Sequence, residues 1–271
     1  MTLSNVRLVV SDMDGTLLNP NSEVSPRFFK QFSELKKKNI HFVAASGRQY
    51  QSILNKLDAI KDDISIIAEN GGIIKHNNKE RILLQLTPQD IANAVNLLRQ
   101  INGAYIVLCG RHSAYIETNY QKFIDRFSKY YLNYTIVNDL TTVTGDSFLK
   151  IAVFHETSSE THILPHVLPL KKSLQVIVSG QNWLDISHAQ ANKGYALSIL
   201  QKELGVTKEE TMAFGDYNND LHMLELAHFS YAMENAHGSV KQAARYTTKS
   251  NAEEGVERIL DKLLKHNMQT R

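Results

Sequence analysis

The sequence predicts an α/β protein whose doubly wound, mainly parallel sheet is interrupted by a smaller α+β unit. Two observations carry this: apolar β-branched runs alternate with helical patterns over residues 6–70 and again after 190, and between them the rhythm changes. Alternating β and α segments imply parallel strands with helices on both faces, whereas neighbouring strands close in sequence imply antiparallel pairing. A chain of 271 residues is longer than one compact core usually holds, so two cores are expected. The boundaries predicted are 1–86 and 184–271 for the sheet-forming core and 87–183 for the insertion.

The first strand is "VRLVVSD" (6–12), the second "IHFVAAS" (40–46) and the third "ISIIAEN" (64–70). The helix between the first two opens at Ser25, an N-cap residue, with Pro26 at the first helical position. "RQYQSILNKLDAI" has helical apolar spacing and supplies the next crossover. Gly71, Gly72 and the pair of short apolar runs around Asn77-Asn78 predict a hairpin that leaves the sheet. From Pro88 the chain reads as a helix (89–101), strands "AYIVLCG" and "SAYIET", a long helix near 120–132, strand "FLKIAVFH", a helix near 160–170, and strands "LQVIVSG" and "WLDISH". The opening rhythm then returns with helix "NKGYALSILQKELG", strand "TMAFGD" (211–216), helix "NDLHMLELA", strand "FSYAM", helix "GSVKQAARY" and a last amphipathic helix "AEEGVERILDKLLKH". Ligands of such sheets bind beyond the carboxyl ends of the strands, so site residues should collect there.

Composition narrows the function classes. With 42% hydrophobic and 21% charged residues the chain can bury a sizeable core, and its 13 Gly and 5 Pro are too few for a fibrous or disordered protein. A net charge of +2 without long basic blocks argues against nucleic acid or anionic membrane as partner. No apolar run spans a bilayer and no leader-like segment begins the chain, so a soluble cytoplasmic protein is expected, with no protein partner implied. The single cysteine, Cys109, lies in a strand-like run and reads as a small buried hydrophobe. His162 and His166 are separated by Pro165, which spoils a metal pair on one helix.

Chemistry concentrates where apolar runs end: Asp12 and Asp14 after the first strand, Ser46 after the second, Asp216 after "TMAFG", and Lys193 at a helix start. If Asp12 and Asp14 continue an extended strand, their side chains leave on one side. Two like charges about 4 Å apart repel by roughly 4 kcal/mol at an effective dielectric near 20, so a cation or a shared proton is needed. A cluster of few carboxylates suits Mg²⁺, which keeps several waters and takes substrate phosphate oxygens. A carboxylate beside a metal and a lysine can attack phosphorus, and a second can move the leaving group's proton. On this chemistry Asp12 is the nucleophile and Asp14 the acid/base.

The motifs "DMDGTLL", "ASGR", "NKG" and "GDYNND", in that order and with an insertion of roughly 100 residues between the second and third, resemble the haloacid dehalogenase superfamily, and within it the Cof-type phosphatases with a large α/β cap. The resemblance implies a Rossmann-like core, an inserted cap that closes over the strand ends and selects the leaving group, and Mg²⁺-dependent hydrolysis of small phosphorylated metabolites (sugar phosphates, nucleotides or pyridoxal phosphate) through an aspartyl phosphate. It also implies Asp12, Asp216 and the Asp14 backbone carbonyl as metal ligands, and the Met13 and Gly47 backbones, Ser46, Lys193 and Asn219 as phosphate ligands. Asp220 would orient Lys193 or waters on the metal. The same motifs serve a phosphotransferase or phosphomutase. A phosphoacceptor signalling domain would be about half as long and would lack both the second acid and the insertion. "ENGG" (69–72) would lie near the mouth of the site, and Arg111, His112, Asn182 and Trp183 are positions in the insertion that could touch a substrate.

Overall fold

The computed structural model describes residues 3–266. β1 (Leu8–Asp12) is buried at every position, as a parallel strand covered on both faces should be. α1 (Pro26–Lys37) starts as predicted, with the Ser25 hydroxyl accepting from the Phe28 amide at 3.2 Å. β2 (His41–Ala45), α2 (Tyr50–Lys56) and β3 (Ser65–Ala68) complete a parallel βαβαβ unit.

The next hairpin does not leave the sheet. β4 (Ile73–His76) pairs antiparallel with β3, and β5 (Lys79–Ile82) pairs with β4, extending the sheet's edge. Asn77 and Asn78 both take positive φ, as a two-residue turn matched to strand twist requires. That local signal fixes the turn but not what the hairpin packs on. Leaving the sheet would strip the cover from Ile73 and Ile74, both buried in the core.

A second sheet follows. α3 (Pro88–Leu98) is capped reciprocally by Thr87 and Asp90. β6 (Tyr105–Gly110) and β7 (Ala114–Ile116) lead to α4 (Gln121–Phe127), and β8 (Tyr134–Ile136), β9 (Phe148–Phe154), α5 (Ser159–His162), α6 (Leu164–Val167), β10 (Leu174–Val178) and β11 (Trp183–His188) complete the unit. α4 is shorter than the long helix predicted, because the chain turns after Phe127, whose ring stacks on Tyr131 at 4.7 Å. The strand order is β10-β11-β9-β6-β7-β8, antiparallel except where β7 meets β8. β11 carries this sheet past the predicted boundary at 183. Lys150, Ala152 and Phe154 of β9 lie opposite Ser187, Asp185 and Trp183 of β11, so these side chains share one face.

The chain returns to the first sheet with α7 (Lys193–Leu204), β12 (Thr211–Gly215), α8 (Leu221–Glu225), β13 (Phe229–Ala232), α9 (Gly238–Ala243), β14 (Tyr246–Thr247) and α10 (Gly255–His266). β1 sits between β12 and β2, parallel to both, in an eight-stranded sheet ordered β14-β13-β12-β1-β2-β3-β4-β5. Asp12, Ser46, Glu69 and Asp216 therefore end neighbouring strands along one edge, the edge that faces the second sheet. Among the described residues no helix is long and apolar enough to cross a membrane.

Candidate active site

The alternation of an extended strand does not bring Asp14 beside Asp12. β1 ends at Asp12, and residues 13–17 form a tight turn with Gly15 at φ 72°. A Cβ at Gly15 would overlap the Asp216 carboxylate, so this position needs glycine for space as well as for its backbone. The turn keeps Thr16 Oγ1 3.3 Å from Asp216 Oδ1 and thereby ties β1 to β12.

Lys193 is fully buried and donates to Asp12 Oδ1 at 2.5 Å and to Asp220 Oδ1 at 2.6 Å. Burial opposes its charge, but the two carboxylates outweigh burial and hold the ammonium above its ordinary range. Asp220 Oδ2 accepts the amides of Asp216 (2.9 Å) and Tyr217 (3.1 Å). With both oxygens engaged, Asp220 positions Lys193 and the β12 loop. Asp12 Oδ2 is buried and has no hydrogen-bond partner. Burial first, and the Asp220 charge next, push the Asp12 carboxyl up to about 7, and burial with the Asp12 charge raises Asp216 as well.

Carboxylate oxygens of Asp12, Asp216 and Asp220 lie within 4.8 Å of one another. An orphaned buried oxygen on Asp12, beside an Asp216 raised by burial, fits a hard divalent cation. The residues present thus suit a metal, with Asp12 and Asp216 open to it while both oxygens of Asp220 are engaged elsewhere.

These groups line a cleft of about 610 Å³ between the two sheets. Asp12, Asp14, Ser46, Gly47, Asp216 and Asn219 form its floor, and Lys193 and Asp220 stand behind Asp12. The Met13 side chain is buried in the core, leaving only its backbone for a role in the site. Ser46 is buried, and its hydroxyl accepts the Arg48 amide at 3.1 Å. Asn219 donates to Asn70 Oδ1 at 3.0 Å, so "ENGG" reaches the site through Asn70, one of several residues there at positive φ.

Two groups were not singled out from the sequence. Arg48, buried at 3% side-chain exposure, grips Asp14 with a two-pronged hydrogen bond, 2.6 Å to each oxygen. It also donates to the Lys129 carbonyl of the second unit at 2.9 Å and lies 4.9 Å from the Tyr130 ring centroid. Lys150, from the middle of β9, donates to the Gly47 carbonyl at 2.5 Å and pairs with Glu69 (3.2 Å) and Asp185 (3.5 Å); Asp185 also receives Asn70. For Lys150 and Asp185 the available signal was a charge inside each of two apolar strand runs, which sheet burial permits only with a partner; Arg48, outside any strand, carried no such signal.

Of the positions in the insertion, Asn182 and Trp183 line the cleft. Arg111 and His112 do not: Arg111 pairs with Glu80 at 2.8 Å and the His112 amide donates to Asp146. Cys109 is buried against Tyr131, and burial raises its thiol above the usual range.

Residues 9–260 match the family model of haloacid dehalogenase-like hydrolases. Over 271 residues, 97% of each chain, the sequence is 32% identical to the 5-amino-6-(5-phospho-D-ribitylamino)uracil phosphatase of Escherichia coli. It is 26% identical to a Bacillus subtilis phosphatase of the same name, over 93% of this chain and 96% of that one. A crystal structure from Streptococcus mutans superposes with a TM-score of 0.90 at 30% identity, covering 96% of this chain and 99% of the other.

Proposed function

The chain belongs to the haloacid dehalogenase-like hydrolases, and from that membership we propose that it is a Mg²⁺-dependent phosphatase of small phosphorylated metabolites, working through an aspartyl phosphate on Asp12. One observation carries this reading: Lys193 holds one oxygen of Asp12 and leaves the other buried, unpartnered and next to Asp216. The core, 1–86 and 184–271, would carry the chemistry, and the insertion predicted at 87–183, whose sheet continues to His188, would cap it. Two relatives named for a ribitylaminouracil phosphate make that compound the first substrate to try, in a cytoplasmic setting.

The Ser46 hydroxyl, the Met13 and Gly47 amides, Asn219 and Lys193 hold the phosphoryl oxygens. Asp12 attacks phosphorus; the ester oxygen departs with the proton of Asp14, and Asp14 later takes a proton from the water that hydrolyses the phosphoryl-enzyme. Arg48 aims Asp14 and ties that aim to the Lys129 carbonyl of the cap. Asp12, Asp216 and the Asp14 carbonyl would hold Mg²⁺, which when bound would neutralise charge on the phosphoryl oxygens. Asp220 keeps Lys193 in place.

The test is phosphate release from a panel of phosphorylated ribitylaminouracil, sugar phosphates, nucleotides and pyridoxal phosphate, ranked by kcat/KM. Release from none of them would refute the reading. Asp14→Asn is expected to lower the rate by about 10²–10⁴, with a smaller loss for p-nitrophenyl phosphate, whose leaving group needs no proton. Equal losses on p-nitrophenyl phosphate and a sugar phosphate in the phosphorylation step would remove Asp14 from the acid's role. Activity should vanish in EDTA, return with Mg²⁺ and not return with Ca²⁺, whose larger coordination sphere suits the site poorly. Full turnover in metal-free buffer would contradict the cation's role.

A further inference from the structure

The acids and bases lining the cleft do not pair off. Arg48 engages Asp14, Lys150 and Asn70 engage Asp185, and Asp12 and Asp216 form the candidate metal site. Two lining cations are left over: Arg126 near the end of α4 and Lys129 in the turn that follows. Among the described residues neither has a carboxylate partner. The nearby acids are engaged elsewhere, Asp125 accepting from Gln121 at 2.7 Å and Glu156 pairing with Lys122 at 3.0 Å.

The Arg126 side chain and the Lys129 backbone are each anchored at the cleft wall. The Arg126 guanidinium lies 6.0 Å from the ring centroid of Phe154, itself a wall residue, and the backbone at Lys129 is fixed by Arg48 through its carbonyl. They stand on the cap side, whereas the groups suited to the transferring phosphate stand at the strand ends. A cleft of about 610 Å³ is in the range that encloses a whole small molecule, well beyond a phosphate alone.

We propose that Arg126 and Lys129 recognise a second negative charge, a carboxylate or another phosphate, on the leaving group, so that the preferred substrates are phosphomonoesters of acidic alcohols. This rests on the phosphatase reading of the same cleft, and it ranks phosphates of neutral alcohols, that of ribitylaminouracil included, below those of acidic ones. Nothing in the wall opposes such a charge: the remaining lining acid on the cap side, Asp185, is already engaged by Lys150 and Asn70.

Binding to the Asp12→Asn protein with Mg²⁺ tests this without turnover. The probes are sorbitol 6-phosphate, 6-phosphogluconate and sorbitol 1,6-bisphosphate, which share one carbon chain and one phosphate and differ at the far end. The two acidic compounds are expected to bind about 10–100-fold more tightly than sorbitol 6-phosphate, the scale of a hydrogen bond to a charged group. The tighter of the two identifies the group recognised. Adding Arg126→Gln and Lys129→Gln, both at exposed positions, should reduce that preference to a few fold in a protein with unchanged melting temperature. Equal binding of all three probes, a preference that survives both substitutions, or an equal weakening of all three by the substitutions would each overturn the proposal. Phosphate release by the parent enzyme is scored separately: a preference abolished by the substitutions, with no release from any probe, supports the binding site while refuting the hydrolytic reading.

Discussion

Asp12→Asn is expected to release no phosphate, a loss on the order of 10⁵–10⁶-fold as for removal of other enzyme nucleophiles, while folding normally. The amide keeps the volume of the side chain, and Lys193 retains Asp220 at 2.6 Å, so no buried charge loses its last partner. Without metal the native aspartate is under strain: its carboxyl stands at about 7 in the folded protein, against 3.8 for an ordinary one. A raised acid binds more protons folded than unfolded, so its contribution to stability falls as pH climbs from about 4 to about 7. Melting temperature in EDTA should therefore decline across that window in the parent protein and decline less in Asp12→Asn, which should match or exceed the parent near pH 8. Glu69, also raised to about 7 by burial, leaves a residual slope in the variant. Near-parental activity, or a variant that melts well below the parent at pH 8, would contradict this account of Asp12.

The part of this site legible in the sequence is the part that ends strands. A parallel sheet puts the carboxyl ends of β1, β2 and β12 on one edge whatever the loops do, so Asp12, Ser46 and Asp216 could be gathered from their places after apolar runs. Lys193 was readable as a polar helix start and Asp220 only through motif resemblance, and in the structure Lys193 bridges Asp12 and Asp220. Arg48 was less legible because its function depends on the turn of residues 13–17, which swings Asp14 out of strand alternation and toward it. Lys150 and Asp185 depend on two sheets meeting, because Lys150 reaches Gly47 after β2 and Asp185 meets Asn70 after β3, each more than a hundred positions away in sequence. The same limit applies to the hairpin at Asn77-Asn78, whose turn chemistry was readable and whose docking on β3 was not.

Lys193→Met is expected to have the second largest effect, on stability and activity together. It would leave Asp12 and Asp220 buried without their shared cation, and breaking a buried pair by removing one partner costs about 3–5 kcal/mol. Part of that loss should return on adding Mg²⁺, whose charge would neutralise Asp12. Activity should remain depressed by about 10²–10³-fold with Mg²⁺ present, because a preorganised positive charge at the transferring phosphate is gone. Denaturant unfolding with EDTA and with Mg²⁺, read beside kcat/KM, checks both halves. Unchanged stability in EDTA would mean that Lys193 is not the counter-ion of the two carboxylates.

The central claim is that phosphorus passes through a covalent bond to Asp12, and acid-quenched turnover followed by peptide mass spectrometry tests it most directly. Asp14→Asn, which should slow hydrolysis of the intermediate, is mixed with substrate and Mg²⁺, quenched, and digested with trypsin. One added phosphoryl group is expected on the peptide Leu8–Arg27, assigned by fragmentation to Asp12 and removed by hydroxylamine. A phosphoryl group on any other residue, or phosphate release with no phosphoryl-enzyme at any quench time, would contradict it.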